Sequence, residues 1–283
     1  MSFRASPREP RALGQRGVMR RGRAGAVIVA SLMAFFLGMA ERASGESVTI
    51  AAAADLQHVM PLLTAQFQRA TGHRATVTYG SSGNFFSQIQ NGAPFDLFFS
   101  ADIEYPRRLE GEGLIEKGSL YEYATGRIVM WFRKGRPLKV SLGLQALLDV
   151  GVRRIAIANP DHAPYGRAAV AALQHEQLYD RVRSKLIRGE NVAQAAQFVE
   201  SGNADAGIIA LSLALAPRLR DRGTYYEIPA AFHQPIVQAA AIMKASRHKD
   251  AARAFTAFLR TPDALRLMQT FGFSPSSPGG RAQ

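Results

Sequence analysis

The chain has 283 residues, 47% apolar and 20% charged, with 35 Lys+Arg against 22 Asp+Glu for a formal charge of +13, and no cysteine. Without thiols there can be no disulfide, thiolate metal site, cysteine nucleophile or lipid-carrying cysteine. The composition is that of a globular protein, and the length fits one large domain or two of about 100 residues each.

Residues 1–45 hold eight arginines against two acids, a charge of +6, which leaves +7 for the remaining 238 residues. No Lys/Arg run in that body is interleaved with aromatics, so nucleic acid is not an expected partner. Ahead of the body, an Arg-rich stretch precedes the uncharged, mostly apolar run Ala24–Ala40, and a polar segment with small residues at Ala43 and Gly45 follows. This three-part plan predicts a secretory signal over residues 1–45, cut after Gly45, with Met19 an alternative start. The competing expectation, an uncleaved anchor, is disfavoured because 17 apolar residues fall short of the ~20 that cross a bilayer. A mature form not embedded in a membrane, free in the periplasm, is the expectation.

From Ser47 onward short apolar runs alternate with amphipathic stretches, the pattern of α/β architecture with largely parallel sheets. Val48–Ala54 reads as a buried strand. Asp55 can cap a helix with Leu56, Val59, Met60, Leu63 and Phe67 on one face, stopped by Gly72. Arg74–Tyr79 is a strand, the turn Gly80–Asn84 leads into a short helix with Phe85, Phe86 and Ile89 inward, and Phe95–Ser100 is the third strand. Ile128–Phe132, Arg154–Ala158 and Ala206–Leu211 follow as strands, with helices near 166–176 and 192–201. One internal echo stands out. Ser87–Asp96 before LFFSAD and Phe198–Asp205 before AGIIALS each run from a helix, through a glycine and a short turn, to an aspartate and an apolar strand. Two lobes of similar build would explain it, as would the general taste of such turns for Gly and Asp.

A catalytic set is hard to find. The six histidines are scattered without metal-helix spacing, and no G-x-S-x-G, Walker loop or G-x-G-x-x-G occurs. What recurs instead is the strand-to-helix turn rich in small and hydroxyl residues: Ala53–Leu56, Gly80–Gly83, Asn159–Gly166 and Gly189–Val192. Each places free backbone NH groups of a helix start at the carboxyl end of a strand, where open α/β sheets bind ligands and where anions are favoured.

In these segments the chain resembles the periplasmic molybdate-binding proteins of ABC transporters, with a type II periplasmic-binding fold. The resemblance covers about residues 47–273. Its carriers, in order, are VTIAAAADL (48–56), GSSGNFFSQIQNGAPFDLFFSAD (80–102), YATGRIVMW (123–131), IANPDHAPYGRAA (157–169), GENVAQA (189–195), GNADAGIIALS (202–212) and HQPIVQAAAI (233–242). It implies two lobes, each a mostly parallel sheet flanked by helices: residues 46–124 plus 237–283, and residues 125–236. Hinge crossings would lie near Tyr123–Gly126 and Gln234–Gln238, with the ligand cleft between the lobes.

Carried over residue by residue, the resemblance implies an uncharged oxyanion pocket. Ser82 would give its hydroxyl and NH. Ala54 and Asp55 occupy the first-loop position, where relatives carry serine or asparagine. Tyr165 would supply a hydroxyl, Val192 would supply its NH, and Ala210 stands where another subgroup has its tyrosine. Arg127 and Arg167 are expected at the rim. Asp55 is the departure: either it turns back to cap its own helix, or it shares a proton with the anion, which would favour a protonated oxyanion such as hydrogen phosphate. The implied ligand is molybdate or tungstate, with no cofactor, no metal cation and no catalysed reaction. The implied partners of a monomeric receptor are a membrane permease and, through it, an ATPase. Trp131, just after a hinge crossing, is expected to report closure. The rivals are a receptor for phosphate or sulfate, an enzyme acting on their esters, and an anchored signalling module.

Overall fold

The computed structural model describes residues 45–136 and 138–275. The leader expected over residues 1–45 lies outside them, apart from Gly45. Ten strands form two five-stranded mixed sheets, and among the described residues no helix is long and apolar enough to cross a membrane.

In the first sheet, β1 (Ser47–Ala53), β2 (Arg74–Gly80) and β3 (Leu97–Ser100) are parallel, in the order β2-β1-β3. They are linked by α1 (Met60–Thr71) and α2 (Ser82–Gln90), and α3 (Glu104–Gly111) follows β3. The sheet is completed by β4 (Tyr121–Gly126) and by β10 (Ile236–Ile242), which runs antiparallel between β3 and β4. The second sheet has the same plan. There β6 (Ile155–Ala158), β7 (Leu186–Gly189) and β8 (Ala206–Ala210) are parallel in the order β7-β6-β8. The helices α4 (Pro164–His175) and α5 (Val192–Ser201) flank them. Antiparallel to β8 lies β5 (Ile128–Arg133), with β9 (Gly223–Glu227) at the edge. The chain ends in α6 (Lys249–Phe258) and α7 (Pro262–Thr270).

The central strands are apolar throughout because helices cover both faces, so neither face can be polar. In the first sheet Ile50, Ala52, Leu97 and Phe99 join the layer with Leu63, Phe67 and Phe255, while the alternate Ala51 and Phe98 join Phe85, Phe86 and Leu109 on the other side. In the second sheet a single core gathers Ile128, Trp131, Ile157 and Ile208.

The internal echo has a shared structural job. Asp96 precedes β3, and its Oδ2 accepts from the Thr49 NH of neighbouring β1 at 2.7 Å. Asp205 precedes β8, and its Oδ2 accepts from the Arg153 and Arg154 NH groups leading into β6, at 2.9 Å each. In each sheet the aspartate pins the first strand to the third. The glycines ahead of them, Gly92 and Gly202, both have φ +84°, a left-handed turn that costs other residues about 1 kcal/mol or more.

The stripe Leu56, Val59, Met60, Leu63 and Phe67 is buried as its period predicts. The cap assigned to Asp55 is not formed. The residues after β1 make a single 3-10 turn, Ala54–Leu56, and α1 starts only at Met60, with Val59 as its N-cap, Pro61 in its first turn and no side-chain cap. Trp131, the only tryptophan, lies in β5. Its side chain has no exposure and it sits against Gly223, where an added Cβ would lie 2.0 Å from the indole. It is enclosed in a strand core.

Candidate functional site

Five strand ends deliver the site: β1, β2 and β3 from the first sheet, β6 and β7 from the second. Around them the five sequence-predicted residues Ala54, Asp55, Ser82, Tyr165 and Val192 line one cavity, together with Ser81, Ala101 and Asn191. Its volume is about 10 Å³, close to the ~10–15 Å³ that admits one water-sized sphere and far below the ~300–1,000 Å³ of pockets for drug-sized ligands. Two larger clefts of about 390 and 400 Å³ flank it, one by Gln57, His58 and Arg218, the other by Asp102, Arg167 and Gln234. The small space is the better site because the free donors converge there.

Those donors come from helix starts. Ser82 is the first residue of α2 after its N-cap Ser81, and Val192 is the first residue of α5 after Asn191, whose side chain accepts from the Ala193 and Gln194 NH groups at 3.0 Å. Tyr165 follows Pro164 in the first turn of α4. The NH groups of Ser82, Tyr165 and Val192 therefore have no partner within their helices. The Ser82 hydroxyl accepts from the Ala101 NH at 2.9 Å, which leaves its own hydrogen free to donate. Each helix dipole favours an anion by ~0.3–1 kcal/mol and each charge-assisted hydrogen bond by ~1.5–3 kcal/mol. No Lys, Arg or His lines the cavity. Arg127 and Arg167 are half-exposed and ion-paired outside it, to Glu227 and Asp102.

Asp55 is the one formal charge in the wall, and it is 1% exposed. Its Oδ2 accepts from the Tyr165 hydroxyl at 2.9 Å and from Gln238 Nε2 at 2.7 Å. Gln238 also reaches the Tyr165 oxygen at 2.9 Å, and its own Oε1 accepts from the Tyr123 hydroxyl at 2.6 Å. The Ser212 hydroxyl donates to the Asp55 carbonyl at 2.8 Å. Oδ1 has no partner. Burial pushes this carboxyl up to about 6 from the ordinary 3.8, against the partial relief given by the Gln238 and Tyr165 hydrogen bonds. Burial and then the neighbouring Asp55 charge also push the Tyr165 hydroxyl well above its ordinary range. The Tyr165 hydroxyl, expected to serve a ligand, is thus engaged by a carboxylate that would otherwise stand nearly bare.

The two sheets also touch beside the cavity. The Gly83 NH donates to the His162 carbonyl at 3.0 Å, and Ser81 Oγ lies 2.8 Å from His162 Nδ1. His162 Nε2 is 3.1 Å from Asn159 Nδ2, while Asn84 donates to Glu190 and Arg167 to Asp102. Sequence reasoning assigned no site role to Gln238, Tyr123, Ser212, His162 or Gly126. One signal was present: Gln238 is the lone polar side chain in the run IVQAAAI and is fully buried, so it needed a polar partner. Gly126 shows itself only in space, since a Cβ there would lie 2.3 Å from the Tyr165 hydroxyl oxygen.

Such an arrangement can desolvate one small anion and surround it with aimed dipoles. Among the described residues no group of three or more His, Asp or Glu is placed to hold a metal cation.

Residues 48–274 match the family model described as bacterial extracellular solute-binding protein. The molybdate-binding protein ModA of Azotobacter vinelandii is 37% identical over 246 residues, 87% of this chain and 96% of that protein. Its namesake from Rhodobacter capsulatus is 35% identical over 244 residues, 86% and 94%. Among solved structures, the periplasmic molybdate-binding protein of Azotobacter vinelandii superposes with a TM-score of 0.77 at 33% identity, covering 81% of this chain and 99% of that one. The sulfate-binding protein SubI of Mycobacterium tuberculosis, at 21% identity and a TM-score of 0.63 over 82% and 88% of the two chains, shares the fold. This chain belongs to the bacterial extracellular solute-binding protein family.

Proposed function

We propose that this chain is the periplasmic receptor of an ABC transporter, that it captures molybdate, with tungstate as a close second, and that it presents the closed form to a membrane permease powered by an ATPase. One observation carries the reading: helix starts from two separate sheets converge on one small cavity with no cation in its wall, which opening of the lobes must enlarge to take the ion. The names of its relatives in Azotobacter and Rhodobacter support molybdate as the ion. In this reading residues 46–126 plus 236–283 form one lobe and 127–235 the other, a shift from the expected 124/125 and 236/237 boundaries because β4 runs through Gly126 and β10 begins at Ile236. The chain crosses between them at Arg127 and again ahead of Ile236, and opening about these crossings admits the ion. Ser82, Tyr165, Val192 and Ala54 give it NH groups, Ser82 adds a hydroxyl, and nothing is turned over. Selection against sulfate, of the same charge, falls to cavity size. The leader sends the chain to the periplasm, where it works as a monomer without a cofactor.

Asp55 favours a second reading. An ionised carboxylate ~4 Å from an anion repels it by ~4 kcal/mol per charge pair at an effective dielectric of 20, so a receptor for an ion that brings its own proton, hydrogen phosphate, is the alternative. Thermal shifts with molybdate, tungstate, sulfate and phosphate decide between them. A ligand at 1,000 times its Kd stabilises by ~4 kcal/mol, and a shift with phosphate but none with molybdate or tungstate would sink the molybdate reading.

A further inference from the structure

The cavity wall contains a group that an anion receptor should not tolerate. Asp55 is buried, its Oδ2 is saturated by Tyr165 and Gln238, and its Oδ1 has no partner at all. A buried oxygen without a partner is costly, and a carboxylate whose residue lines an anion cavity faces added repulsion once the anion arrives. One proton removes both defects. It converts Oδ1 from a repelling acceptor to a donor, supplying one more hydrogen bond to the ion.

We propose that the anion is bound together with one proton, held between Asp55 Oδ1 and an oxygen of the anion, so that the receptor's affinity for a fully deprotonated tetrahedral oxyanion falls as pH rises. The proton comes from solvent. As the O–H bond to Oδ1 forms, the bond holding that proton to hydronium or to the buffer acid breaks, the conjugate base stays in solution and the negative charge of Asp55 is cancelled. The inference rests on the oxyanion reading above and deepens it by naming what sets the affinity.

The surroundings leave Asp55 as the group responsible. Tyr165 from α4, Gln238 from β10 and, through Gln238, Tyr123 from β4 face its carboxyl; Ser212 holds its carbonyl. Burial and the Asp55 charge keep both tyrosine hydroxyls protonated well past neutrality. From α2 and α5 come the Ser82 hydroxyl and the backbone of Val192, neither of which titrates. The charged or titratable groups beyond the wall are His162, Glu190 and the Asp102–Arg167 pair and, in the flanking cleft, His58, Tyr79, Glu200 and Arg218, none of which lines the cavity. In the free protein the Asp55 carboxyl sits at about 6. A bound dianion lifts it further, so binding above that pH draws in a proton.

The test is isothermal titration of wild type and Asp55→Asn with molybdate, which carries no proton near neutrality, in buffers of different ionisation enthalpy. Wild type should weaken by up to about tenfold per pH unit between about pH 6.5 and pH 8.5 and take up close to one proton per ion. Asp55→Asn, whose amide is a permanent donor, should bind with a nearly flat Kd and no uptake. A flat Kd with no uptake in wild type, or an equal slope in both proteins, which would place the titrating group away from Asp55, overturns the inference while leaving the receptor reading intact. Folded wild type that binds no molybdate at any pH overturns both.

Discussion

Asp55 also makes a prediction about the empty protein, independent of any ligand. A carboxyl raised from 3.8 to about 6 by folding prefers to be protonated in the native state. Its contribution to stability is therefore complete below the unfolded value and is lost as pH rises through the folded one. Above about pH 6 the native protein carries a buried charge that costs about 3 kcal/mol relative to a pH well below the unfolded value. Asp55→Asn removes this dependence. The Asn oxygen can still accept from Tyr165 and Gln238, while its amide leaves an unpaired donor where Oδ1 was, a roughly constant cost of ~1–3 kcal/mol. The constant offset and the slope separate cleanly. Melting wild type and Asp55→Asn without anion from pH 4 to pH 8 should show the difference moving in favour of the variant by about 2.4 kcal/mol, mostly between pH 4 and pH 7. At ~2–4 °C per kcal/mol for a chain of this size, that is roughly 5–10 °C. Every other carboxylate is common to both proteins and cancels. A difference that stays constant over the range, or that moves in favour of wild type as pH rises, would refute the account of the buried charge.

Other consequences follow from single contacts. In Gly126→Ala the new Cβ would stand 2.3 Å from the Tyr165 hydroxyl oxygen and 2.7 Å from Gln238 Nε2, so both must leave Asp55. Melting temperature and molybdate affinity should fall together, while Gly111→Ala, with nothing within 4 Å, should change neither. Ser82→Ala strips the Ala101 NH of its acceptor and the cavity of a hydroxyl; chemical denaturation should show a loss of ~1–3 kcal/mol, and calorimetry an affinity at least about tenfold weaker. His162→Ala removes the imidazole on Ser81 but keeps the carbonyl bond to Gly83. Stopped-flow measurement should show several-fold faster anion release with little change in association rate, and unchanged release would mean that this contact does not hold the lobes together.

What could be read from the sequence was what local spacing controls. The stripe from Leu56 to Phe67 obeys a 3.6-residue period, and its residues are buried as a set. The helix at 192–201 begins at an Asn whose side chain bonds two first-turn NH groups, and it has the bounds its sequence implies. Even the Gly-to-Asp echo marked a real equivalence, since Asp96 and Asp205 make the same strand-pinning bonds in their two sheets. Strands such as β10 escaped notice because an Ala-rich run has little β-propensity of its own and takes its form from its neighbours.

Asp55 shows where spacing fails. Read locally, an aspartate before an apolar stripe is a helix cap, and at the surface it would be one. Here the backbone enters a 3-10 turn first, which puts the carboxyl inside the molecule. What it then does is decided by Tyr165 and Gln238, 110 and 183 residues further along the chain. No window of sequence contains that triangle. Yet each corner looks misplaced alone: an acid in an apolar stretch, a glutamine in an alanine strand, a tyrosine among small residues at a helix start. Burying any one without the others would strand a polar group, at ~1–3 kcal/mol each. The three oddities therefore make physical sense only as one network, and a network that leaves a single carboxylate oxygen unpaired is complete only when something from outside, a proton or a donor carried by the ligand, supplies the missing bond.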